Sequence, residues 1–341
     1  MKHKSLTYGY RGLVAAGFFM LSAWLALAAA DNPFIGRWAL TIPGGGAGWL
    51  GVSEEQGQLK SSILWGGGSV VPVTATKLEG DSLVLTRVFE RRRKDPNTGQ
   101  NVTEKTVETI TAKVKGDQMD LSLTRQEPNG RVSGPTAFSG KRIPPLPPRP
   151  DLSKLKFGQP IRLFNGKDLT GWKLIHGKDN GWSVVDGRLI NNPVQVEGQP
   201  HKNYGNLRTE QEFEDFRLTL EVMVDKGGNS GIYLRGIYEV QVAETYGKPV
   251  DSHNMGAIYS RITPKVAAER PPGQWQTLDI TLVDRHVTVI LNGVKIIDNE
   301  PLLGCTGGAL WSDEFRPGPI YLQGDHTKAE YRNIVLTPIV K

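Results

Sequence analysis

Phe216-Arg217-Leu218-Thr219-Leu220-Glu221-Val222-Met223-Val224 is a clean period-two segment. Leu218, Leu220, Val222 and Val224 share one face of an extended chain, while Arg217, Thr219, Glu221 and Met223 share the other, the pattern of a strand with one side buried. Downstream, residues 278–283 and 286–291 alternate around Asp284-Arg285, and Asn292-Gly293 supplies a type I′ turn into Val294-Lys295-Ile296-Ile297. Gly318-Pro319 opens Ile320-Tyr321-Leu322-Gln323, and residues 329–338 make a last strand. Closer to the N-terminus, Val70-Val71-Pro72-Val73-Thr74, Ser82-Leu83-Val84-Leu85-Thr86, residues 106–114 and Met119-Asp120-Leu121-Ser122-Leu123 read as strands, punctuated by Gly80-Asp81 and Gly116-Asp117. No convincing helical stretch interrupts them. The fold class is therefore all-β: a C-terminal sandwich or jelly roll preceded by a small antiparallel barrel or sandwich. Doubly wound nucleotide folds are excluded, and Gly44-Gly45-Gly46 and Gly66-Gly67-Gly68 lack the Lys-Ser/Thr or helix of a phosphate loop.

The 341 residues, 38% apolar and 22% charged, suit two domains that each bury a core. A single Cys excludes a disulfide framework and any Cys-rich metal cluster. Lys2, Lys4 and Arg11 precede an uncharged run that ends in Ala28-Ala29-Ala30, the pattern of a secretory signal peptide over residues 1–30. It predicts an exported protein, periplasmic or extracellular; the length of the run leaves an uncleaved anchor as the alternative. No later run approaches a membrane span. Removing those three basic residues lowers the formal charge from +6 to +3, which gives no reason to expect a nucleic-acid partner. Arg91-Arg92-Arg93-Lys94, followed by Asp95-Pro96-Asn97-Thr98-Gly99, reads as a solvated hairpin tip. Five prolines in residues 143–150 mark the domain boundary as a stiff polyproline spacer. The divisions are residues 31–142 (accessory, whether packed or ligand-holding), 143–157 (linker) and 158–341. Oligomeric state is not readable.

The candidate chemistry lies in Asn229-Ser230-Gly231-Ile232-Tyr233-Leu234-Arg235-Gly236-Ile237-Tyr238-Glu239-Val240-Gln241-Val242. Alternation sends Ile232 and Leu234 inward and Tyr233 and Arg235 outward; after a turn at Gly236-Ile237, Val240 and Val242 face the core and Glu239 and Gln241 the opposite side. Two adjacent strands then gather Tyr, Arg, Glu and Gln on one surface, either as a site or as a solvent face with a cross-strand Arg235–Glu239 pair. His326, beside Asp325 at the end of a strand, suits a general acid, a base, a metal ligand or a plain polar turn. The remaining histidines show no ligand-like spacing, no nucleophile elbow is present, and Cys305 reads as structural. Trp172, Trp182, Trp275 and Trp311 offer indoles for a core or for stacking on a sugar. A neutral polyol fits this composition better than a phosphate or lipid.

Leu163-Phe164-Asn165-Gly166-Lys167-Asp168-Leu169-Thr170-Gly171-Trp172 resembles the opening signature of the 3-keto-disaccharide hydrolase-like domain, a family with a concanavalin A/laminarin-like jelly roll. Trp182-Ser183-Val184-Val185-Asp186-Gly187-Arg188-Leu189, Asn229-Ser230-Gly231-Ile232, Tyr238-Glu239-Val240-Gln241-Val242, Gly256-Ala257-Ile258-Tyr259, Gly273-Gln274-Trp275-Gln276 and Gly318-Pro319-Ile320-Tyr321-Leu322-Gln323 follow in the family's order, over about residues 158–340. The resemblance implies action on 3-keto-glycosides: C2 deprotonation, elimination of the C1 substituent and hydration, a net hydrolysis without two carboxylates flanking the anomeric carbon. On that basis Glu239 is the base, Arg235 or a divalent cation the oxyanion stabiliser, and His326 the acid or second base. Gln241, Tyr259, Gln323 and Tyr233 bind substrate, with Asn229 and Glu221 at the rim. Related sequences commonly place a His followed by Gly after the last Leu-Gln, whereas here Gly324-Asp325-His326-Thr327 displaces the His. A non-catalytic glycan-binding module and a structural envelope protein are the rival readings.

Overall fold

The computed structural model describes residues 32–95 and 99–340. The signal-peptide expectation over 1–30 and the hairpin-tip residues 96–98 lie outside them. Among the described residues no helix is long and apolar enough to cross a membrane.

The N-terminal unit is a single antiparallel sheet of nine strands among the described residues. From Gly36–Thr41 it runs one way through Ala47–Glu55, Gln58–Trp65 and Val71–Pro72, and the other way through Val132–Arg142, Gln118–Gln126, Asn101–Lys115, Ser82–Lys94 and Ala75–Glu79. Its two outermost strands are consecutive in the chain, with only Val73-Thr74 between them. The sheet must therefore curl until its ends meet, which makes it a barrel. Trp38, Leu40, Leu50, Ile63, Leu83, Leu85, Ile110 and Met119 form its core. The basic run lies on a hairpin arm, where Arg93 pairs with Glu104 and Lys105 with Glu90.

The C-terminal unit is a two-sheet jelly roll. The larger sheet orders Trp182–Val185, Arg188–Asn191, Ala329–Val340, Phe216–Val224, Gln276–Val283, His286–Leu291 and Val294–Pro301. The smaller one orders Trp172–Ile175, Asn206–Thr209, Tyr321–Leu322, Asn229–Leu234 and Tyr238–Ala243. Leu218, Leu220, Val222 and Val224 pack in one core with Ile232, Leu234, Val240, Val242 and Leu322 from the facing sheet. Each such buried side chain contributes about 1.5–3 kcal/mol. Asp284-Arg285 and Asn292-Gly293 adopt the left-handed pairs that their turns require.

The proline segment does not hold two domains apart. Arg285 donates to the carbonyls of Pro144 and Pro145, Arg149 to those of Asp298 and Asn299, and Asn299 to that of Pro150, so the segment lies along the jelly roll. The barrel also touches the jelly roll directly. Trp49 and Leu64 join the jelly-roll core, Arg261 stacks 4.2 Å over the Trp49 ring, and Ser69 Oγ is 2.9 Å from His253 Nε2.

Candidate active site

The hairpin Asn229–Leu234/Tyr238–Ala243 pairs Tyr233 with Glu239 and Gly231 with Gln241, and Tyr233 faces Tyr321 on the neighbouring strand. Because Ile232, Leu234, Val240 and Val242 occupy the core face, these residues share the opposite one. Gly231 is needed there: a Cβ would stand 2.4 Å from Glu239 Oε1, so only glycine lets the carboxyl lie across the strand. The Tyr233 and Tyr321 rings stack at 3.9 Å and 9°. The Tyr233 hydroxyl lies 2.9 Å from Glu239 Oε2 and 2.7 Å from the Gly307 carbonyl, and the Glu239 amide donates to Thr306 Oγ1 at 2.9 Å.

Glu239 is 4% exposed. Burial pushes its carboxyl up to about 8, against the opposing Tyr233 hydrogen bond and the neighbouring His326 charge and with the added push of Asp325. His326 Nδ1 lies 2.8 Å from Asp325 Oδ1, and that hydrogen bond holds the imidazole above its ordinary value. Burial works to raise Asp325, but His326 outweighs it and keeps the carboxyl below the usual range. A protonatable carboxyl thus sits electrostatically beside a His–Asp pair that reaches solvent. Such a pair of groups can take and return protons near neutral pH.

Gln241 is buried beside Glu239, with Oε1 accepting from the Val242 amide. Gln323 is half-buried with Oε1 unpartnered, and its amide donates to Gly231 O. The Tyr259 amide donates to Glu239 O, and its ring meets His253 edge-on at 4.8 Å. Asn229 stands at the far end of its strand, also with an unpartnered Oδ1.

Two expected site residues are elsewhere. Arg235 does not continue the alternation, because the turn is centred on Arg235-Gly236, both at positive φ (55° and 69°), rather than on Gly236-Ile237. Its guanidinium is buried and donates to the carbonyls of Glu314 and Arg316, so it is not the oxyanion group. Glu221 lies on the outer face of the larger sheet, held by Arg332 and Asn333, and is no rim residue. Of the four tryptophans, Trp172 and Trp182 are core, while Arg332 covers one face of Trp275 at 4.0 Å and Arg316 one face of Trp311 at 3.8 Å. Glu239 and Gln241 are both buried rather than open to solvent. A cleft of about 750 Å³ lies instead between barrel and jelly roll, bordered by Trp49, Ser61, Val70, Arg261 and Leu303. Tyr321 and Asp325 were missed as site residues, although the alternation that selected Gln323 also selects Tyr321. Cys305 is buried with its thiol pushed up to about 12, as a structural residue should be. Among the described residues no group of three or more His, Cys, Asp or Glu forms a metal cluster.

The fold and site define a jelly-roll protein with a buried, perturbed carboxyl on the outer face of its smaller sheet. The family model described as the 3-keto-alpha-glucoside-1,2-lyase-like domain matches residues 159–337, more than half of the chain, and the chain belongs to that family. A 3-keto-disaccharide hydrolase of Bacteroides thetaiotaomicron is 36% identical over 76 residues, 21% of this chain and 26% of that protein, so the match spans about a quarter of the curated relative. Two solved Parabacteroides distasonis structures, both provisionally assigned as glycosyl hydrolases, are similar to this chain. One is 31% identical and covers 57% of this chain and 93% of its own, with a TM-score of 0.43. The other is 21% identical and covers 53% and 94%, also with a TM-score of 0.43.

Proposed function

We propose that residues 158–341 cleave 3-keto-glycosides by elimination and hydration. A C3 ketone acidifies the C2 proton. Glu239 takes that proton, the electrons pass into an enediolate, and the C1–O bond then breaks as the leaving oxygen takes a proton from His326. Water adds to the resulting double bond, with a proton returning to C2. Gln241, Gln323, Tyr259 and Tyr233 orient the sugar hydroxyls. With Arg235 diverted, the oxyanion stabiliser in this proposal is the His326 imidazolium, which its hydrogen bond to Asp325 favours, or a divalent cation at this face. The observation that carries the reading is the buried Glu239, raised to about 8 beside His326. We also propose export to the periplasm or cell exterior, supported by the pattern of residues 1–30.

The burial of Glu239 favours a second reading, glycan binding without reaction, since substrate must displace its cover to reach the carboxyl. Incubating the full chain with oxidised and unoxidised disaccharides, with and without chelator, separates the two. Release of the C1 alcohol from the oxidised sugar supports cleavage; saturable binding with no product overturns it.

A further inference from the structure

We infer that the N-terminal barrel is a positioning element of the Glu239 centre: its glycine turn, residues 66–68, sets the Gly307 carbonyl against the Tyr233 hydroxyl and so governs where that hydroxyl's one proton goes. The inference rests on Glu239 as the base.

The contact is backbone on backbone. The Gly308 amide donates to Gly66 O at 3.1 Å, and a Cβ on Gly307 would stand 2.2 Å from Gly68 O and 2.6 Å from Gly68 N. Beside it, Ser69 Oγ meets His253 and the Val70 amide donates to Ser260 Oγ, so the residues that follow the turn are anchored as well. On the far side of the same loop, Gly307 O accepts from the Tyr233 hydroxyl and Gly308 O from that of Tyr321 at 3.2 Å. The barrel thus reaches the catalytic face through two carbonyls.

A tyrosine hydroxyl has one hydrogen, and Tyr233 has two acceptors in range. Gly307 O can only accept. When it takes the hydrogen, the Tyr233 oxygen can receive one from a protonated Glu239; an ionised Glu239 has to draw the hydrogen away from Gly307. Fixing Gly307 O therefore favours the protonated carboxyl. The other groups that act on Glu239 or feel its charge are Tyr321, His326, Asp325 and Tyr331, all from the jelly roll, with Tyr331 hydrogen-bonded to Ser230. The barrel's influence on Glu239 passes through Gly307 and Tyr233, because Tyr233 and not Tyr321 is hydrogen-bonded to the carboxyl.

The test is the pH dependence of kcat/KM of the full chain on a 3-keto-glucoside, with Glu239 followed in parallel by carboxyl ¹³C NMR, which needs no turnover. Gly68 has φ +75°, so Gly68→Ala strains and shifts the turn, while Gly68→Asn tolerates that conformation. Gly307→Ala opens the contact from the other side. In Gly68→Ala and Gly307→Ala the ascending limb moves to lower pH by about 0.5 or more, because Tyr233 is released to serve the carboxylate. Gly68→Asn stays at the wild-type position, and the shift vanishes in a Tyr233→Phe background. Leu85→Ala, in the barrel core, lowers Tm without moving the limb. Unmoved limbs, or a shift that survives Tyr233→Phe, overturn the inference; should Gly307→Ala not fold, Gly68→Ala decides alone. An inactive E239Q with unmoved limbs sinks only this inference, whereas an active E239Q sinks the reading of Glu239 beneath it.

Discussion

Tyr233 and Glu239 face each other across one antiparallel pair, hydroxyl to carboxyl at 2.9 Å, on the sheet face turned away from the core. The pairing joins the perturbed Glu239 carboxyl to a hydroxyl that also donates to the Gly307 carbonyl of the covering loop. The proposed chemistry on this surface therefore depends on where protons rest.

Replacing Glu239 with Gln keeps the shape and removes the base. Turnover of a 3-keto-glucoside falls by about 10²–10⁴-fold with little change in KM, measured by steady-state kinetics. Near-unchanged turnover removes Glu239 from the mechanism.

The same carboxyl makes stability depend on pH. Its folded pKa, about 8, lies above the ordinary 4.5, so the folded state keeps a proton that the unfolded chain releases. That contribution is complete below about pH 4.5 and is lost as pH rises through 8. E239Q has no such loss, so its Tm relative to wild type climbs between pH 5 and 9. A constant difference refutes the assignment.

Asp325→Asn removes the hydrogen-bond partner that raises the His326 imidazole above its ordinary value. The imidazole then titrates at lower pH in an NMR titration, and kcat falls about tenfold.

Arg285 is buried against Glu314 at 3.3 Å and holds the proline segment by two carbonyls. Arg285→Met strips the carboxyl of its cation and lowers stability by about 3–5 kcal/mol, read by thermal unfolding. Adding Glu314→Gln recovers much of that, since no buried charge is then left alone.

Trp49 carries the barrel into the jelly-roll core. Trp49→Ala costs about 3–5 kcal/mol and exposes residues 143–157 to limited proteolysis. Equal resistance to protease in both proteins counts against that contact as the tie.

The strands around residues 216–224 and 276–301 were legible because period-two alternation and left-handed turn pairs are local properties. The same rule placed Tyr233, Glu239 and Gln241 on one face. It failed at Arg235 because one left-handed residue ends the alternation, and nothing in Leu-Arg-Gly-Ile says whether the turn begins at Arg or at Gly. Glu221 failed for another reason. Alternation assigns a residue to a face of its own strand, and which sheet that strand joins is a long-range choice.

By itself, then, the order of residues determined an all-β chain, the family of residues 158–340 and the pairing of an acid with hydroxyl and amide side chains, since each follows from neighbours along the chain. Only the tertiary structure decided that Glu239 is buried and protonatable, that His326 and Asp325 act on it electrostatically, and that the barrel's glycines press on the loop above. Burial and proximity depend on segments far apart in sequence, and the perturbed carboxyl exists only once those segments exclude water from it.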